Sequence, residues 1–337
     1  MNSVPWTLLH AKVHQNLRQR QLLPQGAKVL VAVSGGQDSV CLLKLLVDLQ
    51  PHWHWLVAIA HCDHRWSSDL GMSDHVEQLA TTFALPFYLK TAAVDLPEKE
   101  APARAWRYQA LAEIAVAQGF THVVTGHTQS DRAETILYNL IRGAGITGLA
   151  SLSWSRLLTC SVNLVRPLLN VERKETYQFC TQFQLPIWED GVNQNLKFTR
   201  NRIRQQLIPY LQNDFNPQVE THLAQTAELL KTETDYLNTI TEQVLQEVFV
   251  PNQQALNRLL LRRNHLAIQR RVIQEFLRQL LPKSPNFAQI AAVVDLIDAP
   301  NRSRTSSFPG GNYLEVNHEL IVVRFQEKQD LPSDKQK

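Results

Sequence analysis

The chain has 337 residues at 38.5 kDa, more than one typical domain of ~100–200 residues and enough for two, each with its own core. Hydrophobic residues make up 44% and charged residues 19%, which argues against a disordered, collagen-like or disulfide-scaffold protein. The net charge is +3 at a pI near 8.6, from 34 Lys+Arg against 31 Asp+Glu, an excess too small to establish a polyanionic partner.

No apolar run approaches the ~20 residues of a transmembrane helix. The opening MNSVPWTLLHAKVHQNLRQR lacks a compact apolar core followed by small cleavage-site residues, so a cytoplasmic protein without membrane association is expected. Cys41, Cys62, Cys160 and Cys180 form no CxxC pair and fit neither a zinc site nor a secreted disulfide framework. They are expected to be reduced, buried and inert.

In chain order, the pattern predicts strands at 29–33, 56–60, 87–90, 122–125 and 162–165. Helices are predicted between them at 40–49, 73–83, 103–118, 131–142 and 172–183. Runs such as VLVAV and HVVTG are apolar on both faces, as strands covered on two sides must be. The expected fold is α/β, a doubly wound, mostly parallel sheet, over residues 1–213. From 214 to 326 a smaller helical domain is expected, with helices at 218–248, 252–281 and 287–297. Its SSFPGGNYLEVNHELIVVRFQ end, with a Pro-Gly-Gly turn signal, should form a short hairpin. Residues 327–337 are polar and expected to form a flexible tail.

Charge is unevenly placed. Residues 1–210 carry 20 basic and 16 acidic side chains, and residues 211–337 carry 14 and 15. Within the latter, 214–247 holds seven acids and one Lys, whereas 257–283 holds seven basic residues and the single Glu275. Pairing of complementary helices and an RNA-facing basic strip explain this equally well.

The sharpest motif is Ser34-Gly35-Gly36-Gln37-Asp38-Ser39, between the strand KVLVAV and the helix VCLLKLLVDL. Two glycines there permit close backbone approach to an anion, and the helix start offers unpaired N–H donors and the positive end of its dipole. A plain Gly-rich turn with an N-cap is the bland alternative. Asp38 would repel a phosphate unless Mg²⁺ or a substrate amine intervened.

A second motif, Gly126-His127-Thr128-Gln129-Ser130-Asp131-Arg132-Ala133-Glu134, opens onto the same sheet edge. Asp131 and Glu134, at i and i+3, should share one face of a first helical turn directed to the crevice, though N-terminal capping accounts for acids there equally well.

The first loop lacks the Lys of GxxxxGK[ST] and resembles the SGGxDS loop of the PP-loop ATP pyrophosphatases. The strings AHCDHRWSSDLG (60–71), APARAWRYQALAEIA (101–115), GHTQSDRAETILYNLIRGAGITGLASL (126–152), VRPLL (165–169) and EDGVNQNLKFTRNRIR (189–204) then resemble successive signatures of the tRNA(Ile)-lysidine synthetases. Gly191-Val192 departs from the Ser-Thr that the resemblance leads one to expect after the Asp. The additional C-terminal domain of longer members is not expected.

The resemblance implies a ligase forming a C–N bond. It would use ATP, with Mg²⁺, to join free L-lysine to C2 of the wobble cytidine of tRNA(Ile) bearing a CAU anticodon, through an adenylated tRNA. Pyrophosphate and AMP are released, and decoding changes from AUG to AUA and identity from Met to Ile. Ser34, Gly35, Gly36, Gln37, Asp38 and Ser39 would hold the pyrophosphate, Asp38 facing Mg²⁺ or the lysine amine. His127 would stabilise charge at the α-phosphate, and Asp131 and Glu134 would receive lysine.

Arg104 and Arg107, at i and i+3 on one helix, would neutralise phosphate or the adenylated intermediate; a solvated helix face is an equal alternative. His64, with His61 and Arg65 at the end of the second strand, is a candidate for adenosine. Lys197, Arg200, Arg202 and Arg204, read as having no acidic neighbour, suit an RNA backbone. Trp106 is the candidate for base stacking. The oligomeric state is left open, a homodimer among the options. A PP-loop tRNA thiolase would need catalytic or cluster-binding cysteines, and an RNA-binding module without catalysis would not need the acids.

Overall fold

The computed structural model describes residues 5–66, 69–93, 96–188 and 196–325, so Gly191-Val192 and the tail at 327–337 lie outside the described residues. The chain forms two compact units, Met1–Lys231 and Thr232–Lys337.

The first unit runs α1 (Leu8–Gln19), β1 (Lys28–Ala32), α2 (Gln37–Trp53), β2 (Leu56–Asp63), α3 (Met72–Thr82), β3 (Phe87–Thr91), α4 (Glu100–Gln118), β4 (His122–Thr125) and α5 (Gln129–Ile141). It continues through α6 (Ile146–Leu149), β5 (Ser155–Leu157), β6 (Asn163–Val165), α7 (Arg173–Gln182), α8 (Thr199–Arg202), a π turn at Ile203–Leu207, α9 (Ile208–Asp214) and α10 (Val219–Val248), in which the division between units falls.

The strand order is β3-β2-β1-β4-β6-β5, parallel except for the β5–β6 pair. Alternation along β1 explains its double burial. Val29 and Val31 join the cluster containing Leu42, Leu45 and Leu49 of α2, whereas Leu30 faces Ala110 and Leu111 of α4 on the other side. Each such fully buried side chain stabilises the fold by roughly 1.5–3 kcal/mol. Because β1 leads to β2 on one side and lies beside β4 on the other, the loops after β1 and β4 flank the topological switch point.

The first unit differs from the sequence reading at several points. Helix α1 stands ahead of the expected first strand, closed by a reciprocal cap between Thr7 and His10 and burying Leu9, Val13 and Leu17. Strand β5 is a three-residue exposed edge too short to show a period. The first unit also extends past residue 213: Ala227 packs with Ala133 and Ile136, and Glu228 meets the Nη2 of Arg132 at 2.7 Å and the Nε1–H of Trp154 at 2.8 Å.

The second unit contains β7 (Phe249–Val250), a 3₁₀ turn at Pro251–Gln253, β8 (Ala255–Asn257), α11 (Arg258–Arg262), α12 (Leu266–Leu280), α13 (Phe287–Asp295), β9 (Asn312–Asn317) and β10 (Leu320–Phe325). The single helix expected at 252–281 is therefore broken. Gln254 takes φ +46°, Asn257 caps α11 by accepting from the Leu259 and Leu260 N–H groups, and His265 caps α12. The expected hairpin is part of a four-stranded antiparallel sheet, β7-β8-β10-β9. Its tight turn is His318-Glu319, with His318 at φ +53°, and Pro309-Gly310-Gly311 precedes β9 instead.

Candidate active site

The two motif loops meet at the switch point and line a cavity of about 400 Å³ in the first unit. Helix α2 starts at Gln37, so Gln-Asp-Ser of the motif is its first turn, and Gly36 at the N-cap offers no side-chain acceptor. The first N–H groups of α2 are thus left for an anion. The Ser39 hydroxyl donates to the Gly36 carbonyl at 2.8 Å and accepts from the Ser34 N–H at 3.2 Å, folding the loop back on itself.

Two glycines are required by contact. Gly35 has φ +84°, and a Cβ there would lie 3.1 Å from the Cβ of Trp188, whose N–H donates to the Gly35 carbonyl. At Gly126 a Cβ would come within 2.8–3.0 Å of backbone atoms of Asp38 and Ser39, so the β4 loop rests directly on the β1 loop.

Asp38 accepts from the Thr176 hydroxyl at 2.5 Å and lies 3.5 Å from the Nε of Arg173. Burial, with the nearby Asp131 carboxylate, pushes its carboxyl above the usual range. Gln37 does not face the cavity alone: its amide donates to the Arg173 carbonyl and the Thr176 hydroxyl, docking α2 on α7. Thr176 and Arg173 escaped the sequence reading, since the chain separates them from Asp38 by more than 130 positions.

His127 lies 2.8 Å through Nδ1 from the Thr125 hydroxyl. Burial holds its imidazole well below the ordinary value, hence neutral, against the attraction of Asp131 and with the aid of Arg166, Arg107 and Arg104. Asp131 caps α5, accepting from the Thr128 N–H at 2.8 Å. The same carboxylate lies 3.2 Å from Arg204. Burial works against its ionised form, but the Arg204 guanidinium and the Thr128 N–H outweigh it and hold the carboxyl low. Glu134, 2% exposed, receives Arg204 through Nε and, at 3.0 Å, Nη2. Burial raises it to about 7, Arg204 opposing and Asp131 assisting. Capping and an inward-facing acidic pair therefore hold together here.

The basic segment needs correction. Arg204, in the π turn, and Arg200, paired with Glu100 at 2.8 Å, both line the cavity and have carboxylate partners brought from elsewhere in the chain. Arg202 is exposed and pairs with the Thr199 hydroxyl, and Lys197 is also exposed. Arg104 and Arg107 line the cavity, as does His64, which stacks edge-on against Trp106 with ring centroids 5.1 Å apart. His61, also in the lining, lies 2.8 Å through Nδ1 from the Val33 carbonyl. Three of the cysteines are buried, but Cys160 is exposed. Cys62 lines the cavity with its thiol pushed up by burial to about 12.

Among the described residues no three His, Cys, Asp or Glu side chains converge on a metal position. A single carboxylate with a free lone pair, as Asp38 presents, fits Mg²⁺ that arrives with phosphate oxygens filling most of its shell. Among the described residues no helix is long and apolar enough to cross a membrane.

A family model described as a PP-loop domain matches residues 9–211, and one described as a TilS substrate binding domain matches residues 256–328. The tRNA(Ile)-lysidine synthase of a Nostoc species is 51% identical over 96% of this chain and 98% of its own. That of a Synechocystis species is 51% identical over 96% and 99%. In fold, the chain is similar to a U34-tRNA thiolase from Methanococcus maripaludis, at TM-score 0.56 and 16% identity over 66% of this chain and 77% of that one. Near-full-length identity at this level, with both family models matched in order, means that the chain belongs to the tRNA(Ile)-lysidine synthase family.

Proposed function

We propose that the chain ligates free L-lysine to C2 of the wobble cytidine of tRNA(Ile) with a CAU anticodon, at the expense of ATP. The observation that carries this reading is the convergence, in one cavity, of an anion-receiving helix start, a neutral histidine and two acids able to receive a cation.

Gly36 and the first N–H groups of α2, with Ser34 and Ser39 shaping the loop, would take the β- and γ-phosphates of ATP. The cytidine C2 oxygen would then attack the α-phosphorus and pyrophosphate would leave. His127, uncharged, would donate to a phosphate oxygen as charge builds there, and Arg104 and Arg107 would neutralise the adenylated intermediate. Mg²⁺, held by Asp38, would supply charge neutralisation on the polyphosphate. Asp131 and Glu134 would bind the lysine cation, exchanging it for the Arg204 guanidinium that they hold in the free enzyme. The ε-amine would attack C2, lose a proton and expel AMP. His64 would border the adenosine, and Arg202 and Lys197 would meet the RNA backbone. A cytoplasmic location, where these substrates occur together, belongs to the same proposal.

Sulfur transfer is disfavoured, because the cavity lining contains one cysteine and burial keeps it a thiol. The test is pyrophosphate release from ATP in the presence of transcript and lysine, with AMP release and covalent lysine measured in parallel. Lysine-dependent AMP release and labelled tRNA are expected. Product formation indifferent to lysine would overturn the reading. Arg202→Ala should weaken transcript binding about 3-fold, as loss of one backbone contact does.

A further inference from the structure

Four arginines gather on Tyr108 in the first unit. The guanidinium carbons of Arg156, Arg104 and Arg107 stand 4.9, 5.7 and 5.8 Å from the ring centroid, and the Nη2 of Arg166 lies 3.5 Å from the phenol oxygen. Arg166 is 2% exposed; it donates to the Ser153 carbonyl at 2.7 Å, and its Nε finds no partner among the described residues. None of the four has a carboxylate within 4.0 Å among the described residues, whereas Arg132, Arg173, Arg200 and Arg204 of the same unit each have one. Cations this close repel one another, and a buried guanidinium without a counter-ion is costly. The crowd pulls the phenol down to about 8 against the opposing effect of burial. An arrangement this positive is suited to an anion that is absent from the free chain.

The cluster also has a direction. Arg104 and Arg107 line the cavity, Arg166 follows β6, and Arg156 is exposed on the edge strand β5, where its guanidinium also donates to the carbonyl of Leu157. We infer that these arginines, ordered around Tyr108, form a track for the phosphodiester backbone of single-stranded RNA, running from the β5 edge to the cavity where the target base is presented. Tyr108 and Arg166 act as positioning residues, and Arg156 is the outer phosphate contact. This rests on the reading that the cavity modifies a tRNA. The polyphosphate of ATP has the same chemistry, and only the inner pair is placed to reach it.

The test compares the full chain with Arg156→Ala, Arg156→Lys and Tyr108→Phe, measuring the affinity of the tRNA transcript across a salt series and, separately, of ATP. Arg156→Ala should bind transcript about 3- to 10-fold more weakly and lower the slope of log affinity against log salt by about 0.7, one single-strand phosphate contact. Arg156→Lys should restore much of both, and ATP affinity should not move. Tyr108→Phe, which deletes the acceptor for Arg166 and keeps the ring, should shift the tRNA constants in the same direction by less. Unchanged transcript affinity and slope in Arg156→Ala, beside an active parent chain, would overturn the track. A loss of ATP affinity without loss of RNA affinity would overturn it in favour of polyphosphate. A parent chain that binds no transcript would instead remove the tRNA reading beneath it.

Discussion

The two units handle charge in opposite ways. In the first, Arg132, Glu134 and Arg166 are all nearly inaccessible, and polar side chains such as His61, Gln129 and Thr128 are buried with them. In the second, the buried polar side chains among the described residues are Thr234, Thr241 and Thr305, while the pairs Arg262–Asp298 and Arg278–Glu275 lie in solvent. Burying charge is costly unless partners are supplied, so a core that does so repeatedly is organised around something other than stability. The first unit accepts that cost where its loops converge on a cavity. The second is an apolar core whose chemistry is confined to its surface.

The largest expected effect breaks the first unit at its tightest point. Gly126→Val would force the β4 loop off the backbone of Asp38, and a displacement of about 1 Å there should lower the rate about 100-fold or more. Stopped assays of AMP release, with circular dichroism to verify folding, measure this. Next comes Glu228→Ala, which removes the counter-ion of the Arg132 guanidinium, 3% exposed, leaving it the Leu152 carbonyl, and deprives the Trp154 N–H of its acceptor. Because Glu228 is 30% exposed, the cost should fall somewhat below that of a fully buried pair, at about 2–3 kcal/mol by urea denaturation.

Glu134 sharpens the contrast through pH. Its folded carboxyl, raised by burial to about 7, lies above the ordinary 4.5. Its contribution to stability is therefore complete below about pH 4.5 and is lost as pH rises through about 7. Relative to Glu134→Gln, the parent chain should lose up to about 3 kcal/mol over that window, and thermal melts of both across pH 4.5–8 report the difference. Lysine recognition needs the ionised form, so the KM for lysine should fall as pH rises through about 7. A flat KM across that range would detach Glu134 from lysine binding.

Much of the first unit was legible because its signals are local. VLVAV and HVVT read as strands buried on both faces, and the two motif loops follow them directly, so Asp38, His127, Asp131 and Glu134 could be brought to one sheet edge from sequence. What stayed hidden were partnerships between distant segments. Arg204 reads as part of a basic run until the fold sets it against Glu134, 70 residues away, and Arg200 likewise until it meets Glu100. Tyr108 and Arg166 lie within the strings at 101–115 and 165–169, but nothing in either string pairs them, and only the fold brings them together. In the second unit the apolar period runs unbroken through 252–281, so the break depends on Gln254, Asn257 and His265 at single positions, where local capping overrides the pattern. Strands of two or three residues such as β7 and β8 are too short for a period-2 signal; β8 exists because β10 offers an edge, and β7 because β8 does.

The smallest effect completes the comparison. Arg262 and Asp298 form an ion pair at 2.8 Å, a distance close to that between Arg132 and Glu228, but their side chains are 64% and 67% exposed. Water already solvates both charges, so their attraction adds little and the ordering of two long side chains opposes it. Arg262→Ala should change stability by no more than about 0.5 kcal/mol and lose even that in 1 M salt, where exposed charges are screened within about 3 Å. Measured beside Glu228→Ala by the same denaturation, equal costs would mean that the two units do not differ in how they use charge. A several-fold gap would trace the difference to the buried network that Glu228 completes, where one carboxylate serves both Arg132 and the Trp154 N–H.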